Sequence, residues 1–420
     1  MTENKNTSVK YQITIIGVLF FIFGFITWAN GTLIPYLKIA CELTSTQSYY
    51  VATAFFAAYF IMAIPSSIIL KKTGFKNGMS IGLFTMAVGA LLFIPAAQTR
   101  TYSLFLLGLF IIGTGLALLQ TAANPFVTVL GPIESAAQRI SIMGICNKIA
   151  GICAIYLLGS IALKNADSIK EKLLTLNAAD KAIELNNLAA RVIKPYTILA
   201  IILFTLSVAI YFIKMPEVHE EETNADTEAS KNKTSIFQFP HLLLGALAIF
   251  FYVGVEVISY DTFAGFGEYL GFPLDTAKNF ATYTGYALLG GYIFSIVSIP
   301  KYISQQKAMY YLTILSILLV VLAVFTKGYI AIVCFMLLGF TNAVMWPAIW
   351  PLAIDGLGKF TKIGSAFLVM GIVGGAILPP FYAKISEIIN NKQIAYLMMI
   401  PAYLYILYYA LMGYKIGRKK

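Results

Sequence analysis

The sequence predicts an all-α membrane protein with twelve transmembrane helices in two six-helix halves. Three observations lead to this prediction. Of the 420 residues, 59% are hydrophobic and 12% are charged, and the mean hydropathy of +0.79 is far above that of soluble domains. Apolar runs of roughly 20 residues, the length that crosses a bilayer, recur along the whole chain. One polar, acidic stretch divides these runs six and six.

The apolar runs give the order of the predicted helices. The first six cover residues 12–35, 49–70, 79–98, 102–124, 141–163 and 195–214. The second six cover residues 241–262, 280–299, 309–326, 329–350, 363–383 and 394–414. The acidic stretch between the two sets has no apolar periodicity, which predicts a flexible tether. We therefore assign 1–214 to an N-terminal bundle, 215–238 to a cytoplasmic linker and 239–420 to a C-terminal bundle.

The positive charge predicts the orientation in the membrane. With both termini in the cytoplasm, 17 Lys and Arg residues fall on that side and 12 on the other, six of those 12 in the long segment 164–194. Because long loops contribute little to the positive-inside rule, the short loops favour this orientation in the inner (plasma) membrane. The net charge of +11 therefore needs no nucleic-acid partner. The segment 164–194 itself is typical of either an interfacial amphipathic helix or a solvated helical loop.

Ionisable residues inside the predicted spans are few. Lys148 lies in the fifth span and Glu256 in the seventh, with Asp261 nearer the outer end. Each is compatible with a boundary position from which the side chain reaches the surface. Charges inside membrane spans are costly and usually functional, so we expect Lys148 and Glu256 to form a coupling or gating pair.

Amide side chains are the second polar feature of the spans. They offer both donors and acceptors, as recognition of a polyhydroxylated solute requires, although single amides also join neighbouring helices. The amides are Asn30, Gln120, Asn124, Asn147, Asn279 and Asn342.

Two stretches share one plan. Residues 119–148 and 342–380 each have an amide at or next to their start, Gln120 and Asn342, and a proline five residues after it. A short charged loop and a Gly-rich run follow in both. This repetition predicts two halves that face a shared site. Trp346 lies beside the second amide, and we expect its ring to stack on a sugar. Trp350, one turn further on, is typical of an interfacial anchor.

The motifs NGTLIPYLK at 30–38, LQTAANPF at 119–126 and NKIAG at 147–151 resemble the fucose and glucose/galactose branch of sugar:cation symporters in the major facilitator superfamily. That resemblance implies two halves that rock around a central site. It places Gln120 where fucose symporters have a glutamate needed for proton movement, and Asn147 at a sugar-contacting amide. The family pattern Asn-Asp in the first span is Asn30-Gly31 here, which leaves Glu256 as the main intramembrane acid.

We therefore expect a secondary active importer of a hexose or hexose derivative, including amino and acidic sugars, coupled to Na+ or H+. The substrate-binding residues would be Asn30, Gln120, Asn124, Asn147, Asn342 and Trp346. The alternatives are an uncoupled uniporter or exporter of the same fold, and a sugar sensor that does not transport. We expect neither an enzyme, nor a cofactor, nor a metal site, and we expect a monomer whose partners are the sugar and the lipid bilayer.

Overall fold

The computed structural model describes residues 2–48, 50–130, 132–213, 233–272, 274–277 and 280–418. Within these ranges the regular structure is helical, with no β-strand. Residues 214–232, which include most of the predicted linker 215–238, lie outside the described residues, as do Asn279 and the side chain of Asn30.

Up to residue 213, the described residues form nine α-helices. They are α1 (Thr2–Ala40), α2 (Ser45–Ser48), α3 (Tyr50–Leu91), α4 (Phe93–Thr99), α5 (Tyr102–Val129), α6 (Ala136–Ala162), α7 (Ala166–Thr175), α8 (Ala178–Ala190) and α9 (Ile193–Phe212). One 3-10 turn, Ile133–Ser135, precedes α6.

From residue 233 onward, the residues that the structure describes form eleven more. They are α10 (Pro240–Asp261), α11 (Phe263–Tyr269), α12 (Leu274–Ala277), α13 (Phe280–Ser298), α14 (Gln305–Phe325), α15 (Gly328–Asn342), α16 (Met345–Ile354), α17 (Thr361–Met370), α18 (Gly374–Ile389), α19 (Lys392–Ala395) and α20 (Met399–Leu411). Short 3-10 turns join several of them.

The helices are consistent with the twelve predicted spans. Among the described residues, ten helical stretches are long and apolar enough to cross a membrane, and the bent pair Ile13–Ala29 and Thr32–Ala40 adds an eleventh. One of them, Tyr50–Thr99, contains two predicted spans. Gly74, at φ 75° and ψ 171°, interrupts the helical geometry of α3 in the basic loop between those two spans. The predicted fold class is confirmed.

The chain divides into two compact units. One contains 1–20, 123–148 and 218–420, and the other contains 21–122 and 149–217. Helices α5 and α6 therefore each contribute residues to both units. The N-terminal bundle predicted as residues 1–214 is not one of these units, and its boundaries stay a prediction.

Glycines bring α3 and α5 into close contact in the second unit. A Cβ atom on Gly82 would lie 2.8 Å from the carbonyl oxygen of Gly115, and one on Gly115 would lie 2.4 Å from that of Gly82. Small residues permit this approach of two membrane helices. Helix α9 is attached to α3 by reciprocal bonds, since the hydroxyls of Ser80 and Ser207 each donate to the other residue's carbonyl oxygen at 2.8 Å.

The segment 164–194 is helical, and its second helix is attached to the rest of its unit. It forms α7 and α8, and α8 packs against α4, burying Leu185 and Leu188. Lys181 on α8 forms an ion pair with Glu42, with 2.7 Å between Nζ and Oε1. Lys172 on α7 forms an ion pair with Glu184 on α8 at 2.9 Å. Because the contacts join α8 to the span ends, the segment is an attached helical cap on its own unit.

Candidate functional site

An ion pair between α6 and α10 is the main polar contact within the spans of the first unit. Lys148 Nζ lies 2.9 Å from Glu256 Oε1, and the two residues are 6% and 8% exposed. Both fall in helices whose other residues are largely apolar, so each charge is held where desolvation is costly and a partner is required. The structure brings together the two residues that the sequence predicted as a pair.

Three tyrosines surround this ion pair. Tyr252, one helical turn before Glu256 on α10, donates a hydrogen bond to the Glu256 carboxylate. Tyr292 on α13 shares a hydrogen bond with Tyr252. On the other side, the Lys148 ammonium lies 5.7 Å from the centroid of the Tyr260 ring, within the range of a cation–π contact. The buried charges thus have hydroxyl and aromatic ring groups beside them.

Two glycines make room for these rings. A Cβ atom on Gly144, one turn before Lys148, would lie 2.5 Å from the ring of Tyr292. A Cβ atom on Gly285 would lie 2.5 Å from the hydroxyl of Tyr260. Such distances are too short for real carbon atoms, so any larger residue would displace the tyrosines from the ion pair.

The same face of α6 follows α13 for two more turns. Gln138 donates from Nε2 to the carbonyl oxygen of Ile296 at 2.7 Å, and the hydroxyls of Ser141 and Ser295 share a hydrogen bond of 2.7 Å. Residues three or four apart lie on one face of a helix, and positions 138, 141, 144 and 148 follow that spacing. This polar seam fixes the register in which Lys148 meets Glu256.

The tandem tryptophans lie on α16 beside this cluster. Their rings are stacked with centroids 5.3 Å apart, and the Trp346 ring lies 6.3 Å from that of Tyr252. Trp346 is partly exposed, which leaves part of its ring available to a ligand. Trp350 is completely buried. The expectation that it anchors the chain at the membrane interface is therefore wrong, because an anchor must reach the headgroups.

The predicted amides of the first unit have different environments. Asn342 is completely buried and its Oδ1 accepts a hydrogen bond from Tyr403 at 3.0 Å; its Nδ2 has no hydrogen-bond partner among the described residues. Asn147, adjacent to Lys148, is partly exposed and donates to the carbonyl oxygen of Phe20 at 3.4 Å. Asn124, which immediately precedes Pro125, is completely buried.

Gln120 lies in the other unit. It is partly exposed and donates from Nε2 to the hydroxyl of Tyr59 at 3.2 Å, and Tyr59 is also hydrogen bonded to Thr27. The Gln120 amide is thus held by a tyrosine of its own unit. Asp261 is the last residue of α10 and is exposed, in agreement with a boundary position.

Sequence reasoning missed the tyrosines. Tyr252 and Tyr260 lie four residues before and four residues after Glu256, and this spacing on one helix face was an available signal. Tyr292 and Tyr59 come from other helices and had no such signal. Within the described residues, no group of three or more His, Cys, Asp or Glu side chains could hold a metal ion.

Comparison with known proteins identifies the family of this chain. The sequence model of the Major Facilitator Superfamily matches residues 16–379. A glucose/galactose transporter of Brucella abortus is 36% identical over 414 residues, covering 96% of this chain and 94% of the relative. The L-fucose-proton symporter of Escherichia coli K12 is 31% identical over 390 residues, covering 91% and 88%.

Solved structures agree with the sequence comparison. The crystal structure of FucP, a transporter of the same superfamily in its outward conformation, superposes with a TM-score of 0.84 at 29% identity, covering 98% of this chain and all of that one. Its helices and those of this chain therefore follow the same path. The chain belongs to the major facilitator superfamily, in the branch of the glucose/galactose and fucose transporters.

Proposed function

We propose that this protein is a secondary active transporter that imports a hexose or a close hexose derivative together with a proton. The names of its relatives support the sugar, since they are glucose/galactose transporters and L-fucose-proton symporters. The observation that carries the proposal for coupling is the buried ion pair between Lys148 and Glu256. A chain with this role is a carrier and has no need of enzymatic chemistry.

Protonation of Glu256 would leave the Lys148 ammonium without its counter-charge. While Glu256 is ionised, it neutralises the ammonium 2.9 Å away. Protonation removes that counter-charge, and a buried ammonium then requires other acceptors. Sugar hydroxyl oxygens supply acceptors of this kind. Proton binding thus favours sugar binding, and by linkage sugar favours the proton equally.

The backbone around Glu256 favours a proton over Na+. Transporters of Na+ commonly coordinate it with unwound backbone carbonyls of broken helices. Here α10 is one continuous helix from Pro240 to Asp261. The backbone carbonyl groups next to Glu256 therefore accept hydrogen bonds within the helix. The carboxylate also already engages Lys148 and Tyr252. A proton needs no further ligands.

For the sugar we assign the amides and the exposed tryptophan. Gln120 and Asn147 are partly exposed, and Trp346 presents a ring of the kind that stacks on the apolar face of a hexose. Asn30, Asn124 and Asn342 complete the proposed set. Asn124 and Asn342 are buried here, so they would contact the sugar in another conformation of the transporter. Transport would follow alternating access in a monomer. Its two domains would be residues 1–214 and 239–420, joined by a linker at 215–238. The protein would lie in the inner membrane with both termini on the cytoplasmic side.

An uncoupled uniporter is the second candidate. It is favoured by Gln120, an amide held by Tyr59 at the position where the family resemblance implies a proton-carrying glutamate. The exporter and sensor alternatives have no comparable observation in their favour.

Uptake into proteoliposomes separates the candidates. The purified chain is reconstituted, and entry of labelled glucose, galactose, fucose and N-acetylglucosamine is followed under a proton gradient, a Na+ gradient or none. The proposal predicts accumulation above the external concentration with the proton gradient alone. A uniporter would reach only equal concentrations under all three conditions, and accumulation with Na+ alone would transfer the coupling to sodium.

A further inference from the structure

An apolar cavity in the second unit has no part in the proposed transport site. It has a volume of about 180 Å³ and lies among α1, α5, α6 and α9, with a lining that includes Phe25, Leu109, Ile161 and Pro195. Of its twelve lining residues, eleven have apolar side chains and the twelfth is Tyr196. A sugar would lose its hydrogen bonds in such a space, so the cavity suits hydrocarbon.

One wall of the cavity faces the lipid. Leu157, Ile161 and Ile198 line it and are 49%, 43% and 49% exposed. All three belong to helices apolar enough to cross a membrane. An acyl chain in the surrounding bilayer therefore has direct access to the cavity without crossing a polar layer.

Basic residues lie at one end of the cavity. Ile161 is in the last turn of α6, three residues before Lys164, and Pro195 is in the first turn of α9, immediately after Lys194. Arg191 Nη1 donates to the carbonyl oxygen of Lys164 at 2.6 Å, which brings the two helix ends together. The cations are thus grouped where hydrocarbon gives way to headgroups, and the N-terminus of α9 adds partial positive charge there.

These cations lie on the outer side in the orientation proposed above. Their segment is too long for the positive-inside rule to account for its basic residues. Of the six basic residues of the segment 164–194, Lys172 and Lys181 are matched by Glu184 and Glu42. Lys164, Arg191 and Lys194 form the group at the cavity, and a lipid phosphate is a counter-charge available at that depth.

We propose that this cavity and its basic rim bind one anionic phospholipid, with an acyl chain in the cavity and the phosphate at Lys164, Arg191 and Lys194. Basic pockets between membrane helices recognise anionic headgroups by this combination of charge and hydrocarbon. The residues of this lipid site do not include Lys148 or Glu256. Loss of the lipid is therefore not expected to abolish sugar transport.

The test measures retained lipid. The full chain is reconstituted in nanodiscs with equal phosphatidylglycerol and phosphatidylcholine, extracted in mild detergent, and its bound lipids are counted by native mass spectrometry. One phosphatidylglycerol per chain is expected. The double variant Lys164→Gln, Lys194→Gln should weaken its retention by about 30-fold, the loss expected for two cations near an anionic lipid. Lys384→Gln, an exposed lysine of α18, is the matched control and should retain the lipid.

A second variant tests the acyl chain. Leu199→Trp fills the cavity and keeps the basic rim, so retention of phosphatidylglycerol should fall while sugar binding, which reports correct folding, is kept. Equal retention of both lipids, or no effect of the lysine double variant, would overturn the proposal. So would displacement of the lipid by millimolar inorganic phosphate alone, because the rim would then be a site for free phosphate.

Discussion

Lys148 and Glu256, 108 residues apart in the chain, meet in a 2.9 Å ion pair inside helices that are apolar enough to cross a membrane. Tyr252 and Tyr260, each one turn from Glu256 on α10, contact the carboxylate and the ammonium respectively. The ion pair and these two tyrosines therefore form a single buried polar unit.

The amides give a first prediction. Asn147→Ala and Gln120→Ala should each weaken sugar binding by about 5- to 150-fold, because removing one partner of a buried hydrogen bond costs roughly 1 to 3 kcal/mol. Isothermal titration of the purified variants measures this, with thermal unfolding as the control for folding. If both variants bind sugar like the wild type, neither amide belongs to the site.

A second prediction separates the two tryptophans. Trp346 is partly exposed whereas Trp350 is buried, so only the first has a ring surface for sugar. Added sugar should quench tryptophan fluorescence in the wild type and in Trp350→Phe, and much less in Trp346→Phe. Equal quenching in all three proteins would make Trp346 a packing residue.

Gly144 provides a steric test of the tyrosine shell. Gly144→Ala places a carbon 2.5 Å from the ring of Tyr292 and should lower stability by about 1 to 3 kcal/mol through overpacking. Gly159→Ala is the matched control in the same helix, since no atom lies within 4 Å of its Cβ position. Thermal unfolding should separate the two variants. Equal melting temperatures would show that the ring of Tyr292 is free to move.

The helical cap should respond to acid. The hydrogen bond from Lys181 lowers the pKa of Glu42 below 4.5, and the charges of Lys181 and Arg100 add to this effect. Ionised Glu42 therefore stabilises the attachment of α8 at pH above 4.5, and that contribution is lost as pH falls through the lowered pKa. Hydrogen exchange of Ala178–Ala190 should become faster in that acid range.

Glu42→Gln supplies the control for the acid response. It removes the titrating group, so exchange in α8 should already be faster at neutral pH and should change little on acidification. A pH response of the same size in Glu42→Gln would assign the effect to another group.

Much of the fold was predictable from the sequence, because membrane spans are defined by length and hydropathy alone. The twelve runs fall within helices, and the helix break at Gly74 lies between two of them. The attachment of α8 was not predictable, since it depends on Glu42, which is distant in sequence. Trp350 was misassigned because its position near a run's end resembles an anchor, and only tertiary packing buries it.

The candidate site was predictable in part. Intramembrane charges are rare, so Lys148 and Glu256 stood out. Their pairing was one of several ways to offset the cost of a buried charge, and the sequence did not decide among them. The tyrosines did not stand out, because the chain has 26 of them and most are ordinary packing residues. Which of them surrounds the pair is decided by the register of α6 on α13, set by Gln138 and Ser141, and register is not readable from hydropathy.

The most direct test is sugar accumulation by Glu256→Gln in proteoliposomes with an imposed proton gradient. If Glu256 carries the coupling proton, this variant should still exchange sugar down its concentration gradient and should lose accumulation driven by the proton gradient. Lys148→Met added to Glu256→Gln removes the unpaired ammonium and controls for misfolding; it should restore protein stability without restoring accumulation. Full accumulation of sugar by Glu256→Gln would contradict the account.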